Sequence, residues 1–101
     1  MSNENSENKD KGIVCIGNKP LMKYVTAVVV QFNSQNLKKV TIMARGKFIS
    51  KAVDVAEIVR KKFLKEKNIQ IQEIKMDSED FIGKENKPLT VSTLTIILEI
   101  Q

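Results

Sequence analysis

Residues 40–63 read VTIMARGKFISKAVDVAEIVRKKF, and the spacing of their apolar side chains changes part-way along. Val40 and Ile42 alternate with Thr41 and Met43, the period of two that marks a strand with one buried face. Beyond Lys47 the period becomes helical. Ile49, Ala52, Val53, Ala56, Val59 and Phe63 fall on one face of a helix predicted over residues 48–65, while Glu57 and Lys61 stand four apart and can pair on another. Ala44-Arg45-Gly46-Lys47 joins the two elements. A strand that passes through a short turn into an amphipathic helix is the first half of a crossover unit.

On the N-terminal side the pattern repeats. Ile13-Val14-Cys15-Ile16 is a short apolar run ended by Gly17, which suits a buried strand. Pro20 stands where a helix would begin and its missing N–H costs nothing. Leu21, Val25, Val28, Val29 and Phe32 then mark a helical stripe that ends at Asn33-Ser34-Gln35-Asn36. On the C-terminal side, Ile69 and Ile71 begin a third strand whose parity breaks before Ile74 and Met76, a spacing that predicts a β-bulge or a slipped register. Residues 77–89 are polar, with Gly83 and Pro88, and read as a long hairpin connection. Leu94, Ile96, Leu98 and Ile100 alternate in a fourth strand. Residues 1–10 hold no apolar residue after Met1 and read as a disordered tail preceding one domain over residues 11–101.

The order β-α-β-α-β-β predicts an α+β fold with a mixed four-stranded sheet. Helical crossovers join parallel strands, so the C-terminal ends of the first three should share one edge of the sheet, the usual ligand edge of open sheets. Three basic segments are thereby expected on that edge: Gly17-Asn18-Lys19, Arg45-Gly46-Lys47, and the hairpin with Lys84 and Lys87. Two of them lead into helix N-termini, where free N–H groups favour an anion, and the glycines permit close backbone approach. Arg45 can hold a phosphate bidentately; the lysines act as point charges.

Composition narrows the function. The formal charge is +5, and because residues 1–10 contribute −2, residues 11–101 carry +7. A compact domain this basic attracts polyanions, although a solvated lysine-rich surface is the plain alternative. There is no histidine, which removes the commonest general base and zinc ligand together. No nucleophile–base constellation replaces it, since the adjacent Ser50 and Lys51 would not face each other on a helix. No enzyme activity, cofactor or metal is therefore expected; Asp77, Glu79 and Asp80 lack the spacing of a glycine-pivoted calcium loop. The single cysteine, Cys15, excludes an intramolecular disulfide, fits a reducing compartment, and reads as a buried inert thiol. The N-terminus lacks the pattern of a secretory signal, and no apolar run approaches the 20 or so residues of a membrane span.

Longer motifs carry a resemblance. Gly17-Asn18-Lys19-Pro20-Leu21-Met22-Lys23-Tyr24-Val25 resembles the G-K-K-P-x-M-x-Y-V segment of the archaeal Alba proteins. Ala44-Arg45-Gly46-Lys47 and the following Ile49 to Arg60 resemble their A-R-G-[RK]-x-I-S-[KR]-A-V-D-x-x-E-I-V-R stretch, and Val91-Ser92-Thr93 their V-S-T. The order matches, and the resemblance spans residues 11–101. It implies a fold like the C-terminal domain of bacterial translation initiation factor three, with two helices on one face of the sheet. It also implies a homodimeric chromatin protein of the cytoplasm and chromosome (nucleoid), one that binds double-stranded DNA and RNA through phosphate contacts and condenses DNA, with higher assembly along it. By position, the expected contacts are Asn18, Lys19, Arg45, Gly46 and Lys47, with Lys84 and Lys87 on the hairpin. Phe63 matches the aromatic through which dimers associate side by side; core packing is the rival reading of that residue.

Two departures matter. Asn18 stands where the family has a lysine that is acetylated in some members, and Met43 stands where lysine often precedes A-R-G. Fewer phosphate contacts predict weaker or more selective binding, although Asn18 could still hydrogen-bond a phosphate or sugar. An RNA-binding protein acting in RNA processing or stabilisation is the alternative; a basic scaffold domain docking an acidic protein is a further one.

Overall fold

The computed structural model describes residues 11–101; the tail expected over residues 1–10 lies outside the described residues. The elements are β1 (Ile13–Cys15), α1 (Leu21–Asn33), β2 (Lys39–Arg45), α2 (Ile49–Ile58), β3 (Ile69–Ile82) and β4 (Pro88–Ile100). A 3-10 turn, Gly46–Phe48, leads into α2, and a π-turn, Val59–Phe63, extends it. The sheet order is β1-β2-β4-β3. β1 and β2 are parallel, and β4 is antiparallel to both its neighbours, so β3 runs in the direction of β1 and β2 without touching either. The sheet is mixed and the expected α+β class holds.

Alternation along the strands decides which face is covered. Val40, Ile42 and Ala44 of β2 and Leu94, Ile96 and Leu98 of β4 are buried against the helices, with Val14 beside them on β1. Val25, Val28 and Phe32 of α1, Ala52, Val55 and Ala56 of α2, and Val59 of the π-turn complete one core. Gln31, the buried polar residue there, accepts a hydrogen bond from the Gly12 backbone N–H. Burial of that amide oxygen is tolerated because it is paired.

Three expectations are corrected. Cys15 is exposed, because in β1 it pairs with Met43 and shares its side of the sheet, away from the helices. Val53 also lies outside the core, which takes Val55 instead. Phe63 is 47% exposed, so it is not a core residue. Its displacement follows from the π-turn, in which the Leu64 N–H bonds the Val59 carbonyl five residues back; that wider turn rotates Phe63 off the buried stripe.

The parity break in β3 is a bulge: Ile71 faces Leu98 and Glu73 faces Ile97, leaving Gln72 without a counterpart. The polar stretch read as a connection is mostly strand. β3 and β4 stay paired as far as Ile82 and Pro88, and only residues 83–87 turn. Beyond the Arg45–Thr93 pair this two-stranded arm leaves β2 behind and projects past the sheet edge.

Candidate nucleic-acid interface

β1 and β2 end on the same edge, which places the Gly17-Asn18-Lys19 loop beside the Arg45-Gly46-Lys47 turn. The Ile16 N–H bonds the Met43 carbonyl at 2.9 Å and ties the two exits together. Asn18, Lys19, Arg45, Gly46 and Lys47 are all exposed. Gly46 has φ +58, a left-handed conformation that glycine adopts without strain and that turns the chain from strand into helix. A Cβ there would meet Val91 at an ordinary 3.5 Å, so conformation rather than space is the requirement.

Gly17 is needed for the opposite reason. Its φ is not left-handed, but a Cβ would come within 3.3 Å of the Tyr24 hydroxyl. That hydroxyl accepts hydrogen bonds from the Gly17 N–H at 2.9 Å and the Lys19 N–H at 3.1 Å. Tyr24 thus occupies the Gly17 and Lys19 amides, which lie in the loop ahead of the helix that begins at Leu21. Lys51, from α2, donates to the Gly17 carbonyl at 2.8 Å and the Lys19 carbonyl at 2.9 Å. Its ammonium also stands 5.6 Å from the Tyr24 ring centre and 5.7 Å from that of Phe48, while Lys47 stands 5.5 Å from Phe48. Tyr24 is buried, and the sequence gives no direct sign of the bonds its hydroxyl makes or of the reach of Lys51 to this loop. The i, i+5 and i, i+7 spacing of Tyr24 from the two amides is the indirect signal available.

Arg45 leans toward the arm. Its guanidinium bonds Glu79 at 3.1 Å and lies 5.4 Å from the Phe81 ring centre, with both charged side chains about half exposed. Arm and body are linked at this point. Expected convergence of a third basic segment is not found. Lys84 and Lys87 sit at the arm's tip, five residues past Thr93, or about 17 Å at strand rise. The arm's own charge is acidic, with Asp77, Glu79, Asp80 and Glu85 against Lys84 and Lys87. Phe63 lies at the far end of the helix that begins beside the basic edge, away from the loops. Among the described residues, no group of three or more acidic, histidine or cysteine side chains is placed to hold a metal, and no helix is long and apolar enough to cross a membrane.

Comparison with known proteins sets this arrangement in context. Residues 13–78 match the Alba family. The chain belongs to the Alba family. It is 49% identical over 86 residues to the DNA/RNA-binding protein Alba of Methanococcus maripaludis, a match covering 85% of this chain and 94% of that one. It is 51% identical over 85 residues to DNA/RNA-binding protein Alba 1 of Archaeoglobus fulgidus, covering 84% and 91%. Among solved structures, Alba from Thermoplasma volcanium superposes with a TM-score of 0.79 at 48% identity, covering 86% of this chain and 98% of that one. ALBA1 from Trypanosoma brucei, at 17% identity and a TM-score of 0.66 over 90% and 70%, shares the fold. Membership of the Alba family thus rests on most of the chain, including both basic loops.

Proposed function

We propose that the chain is a homodimeric protein of the cytoplasm and nucleoid that binds double-stranded DNA, and RNA as well, by its phosphate backbone, helping to compact the chromosome. The observation that carries this reading is the exposed set Asn18, Lys19, Arg45 and Lys47 on one sheet edge, in a chain whose relatives are named DNA/RNA-binding proteins. Side chains do most of the binding in this reading, because the Gly17 and Lys19 N–H groups of the first loop are already engaged. Phosphate contacts of this kind position a protein without reading bases.

Dimerisation is supported by β3. Among the described residues its outer edge is unpaired, and Ile71, Ile74 and Met76 lie on the helix side of the sheet beyond the reach of the helices, Met76 being 82% exposed. An apolar stripe along an open edge is covered by association. A second copy brings a second set of basic loops, and exposed Phe63 is available for contacts between dimers along DNA.

A salt titration of binding to duplex DNA, single-stranded DNA and RNA of matched length tests the reading. A steep linear fall of log affinity with log salt is expected on duplex DNA. RNA displacing bound duplex throughout that range would favour the RNA-processing alternative, and binding to neither would leave the acidic-protein scaffold.

A further inference from the structure

The β1–α1 loop has exposed side chains on an immobilised backbone. On either side of Asn18, both polar groups of the main chain are taken: the N–H groups of Gly17 and Lys19 by the Tyr24 hydroxyl, and their carbonyls by the Lys51 ammonium. The two clamping side chains come from different helices and meet, the ammonium lying over the tyrosine ring. A three-residue loop containing glycine would otherwise sample many conformations, and freezing it on a ligand would subtract from affinity.

Resting on the nucleic-acid reading above, we propose that Tyr24 and Lys51 are positioning residues of the interface: they fix the loop in advance so that Asn18 and Lys19 meet the sugar–phosphate backbone already ordered. Lys51 acts by directing two of its three N–H donors at loop carbonyls and not as a phosphate contact. A lysine on the binding edge of a basic domain would ordinarily be assigned to phosphate, so the two roles need separating.

Salt dependence separates them. A phosphate contact contributes counterion release, so its loss is large at low salt, shrinks as salt rises, and makes the log–log slope less negative by about 0.9. Loss of prior order costs the same at every salt concentration. The experiment compares the full wild-type chain with Tyr24→Phe, Lys51→Met and the double variant on one duplex across a salt series, with amide exchange measured on the free proteins. Tyr24→Phe changes no charge and keeps the buried ring. It is expected to weaken binding about threefold to tenfold along a line parallel to wild type, with faster exchange at the Gly17 and Lys19 amides and none at Val25 or Val28. Lys51→Met should shift the line similarly, with less than half the slope change of a lost phosphate contact. The double variant should lose less than the product of the two, since both act through one loop.

Convergence of the Lys51→Met and wild-type lines at high salt, with a slope change near 0.9 per subunit, would overturn the proposal and make Lys51 a phosphate ligand. Variants that melt earlier but bind like wild type would also overturn it, because the clamp would then be structural only. Failure of the proposed function shows differently, as a wild-type chain that binds no nucleic acid.

Discussion

The basic loops and the β3–β4 arm leave the same sheet edge but are built on opposite principles. The loops are short and positively charged, and the first is held to the body by side chains from both helices. The arm is long and acidic along its shaft. Beyond Thr93 it is held by its own ladder, by the Thr90–Asp80 hydrogen bond across it and by Arg45, which bonds Glu79 and lies over Phe81. On the proposed reading, one region is prepared to meet phosphate, while the other offers lysines only at its tip and acids along its shaft. The difference teaches that a basic net charge does not describe the interface. Where the lysines sit relative to the acids decides which parts of the edge approach a polyanion.

The largest effect is expected on the uncovered side of the arm's base. Ile74→Asp would place a charge within the stripe that the proposed dimer would cover, and an unpaired buried charge typically costs several kcal/mol. Sedimentation should then move from twice 11.4 kDa to 11.4 kDa, with helix content retained; an unchanged dimer would mean that another surface associates.

Next comes Arg45→Ala, which should weaken duplex binding about tenfold per subunit near 50 mM salt and make the slope less negative by about 0.9 for each contact. The loss should be uniform over unrelated duplexes. Affinity lost on one sequence alone would make Arg45 a base reader.

Asn18→Lys sharpens the loop side of the comparison. A dimer would gain two contacts, and the slope should become more negative by up to about 1.8. Thermal or denaturant unfolding should shift by less than about 0.5 kcal/mol, since the site is exposed. An unchanged slope would mean that this loop does not reach the backbone.

The smallest effect belongs to Glu79→Gln. Releasing Arg45 from a half-exposed ion pair, worth at most about 1 kcal/mol, should tighten duplex binding about twofold to fivefold. Weaker binding instead would show that Glu79 holds Arg45 in the productive orientation.

The sequence showed the architecture because two periods, 2 and 3.6, were clean in residues 40–63 and because glycine, proline and asparagine punctuated the rest. It was silent where periodicity carries no parity. Ile13-Val14-Cys15-Ile16 is apolar throughout, so nothing marked Cys15 as the outward residue. Val53 and Val55 flank the same helical stripe, and the π-turn that releases Phe63 has no signature in composition. The candidate site was legible as a set of basic residues on an edge. The clamp was not, because Tyr24 and Lys51 are separated by 27 positions and meet only through the crossover; nor was the acidic shaft, which was hidden by reading residues 77–89 as a connection.

Gln72 gives the arm a property that no charge count conveys: aim. An extra residue in one strand bends it and increases its twist while the faces on either side of the bulge stay in phase, so Ile71 and Ile74 both remain on the helix side. From Gln72 to Gly83 the chain runs about 36 Å at strand rise, first along the sheet as far as Asp77 and then out along the arm. A change of about 10° at that pivot would sweep the tip by about 6 Å, nearly two steps of the double helix at about 3.4 Å each. Deleting Gln72 would straighten the ladder and leave every side chain on its present face. Lys84 and Lys87 would keep their charge and lose their address.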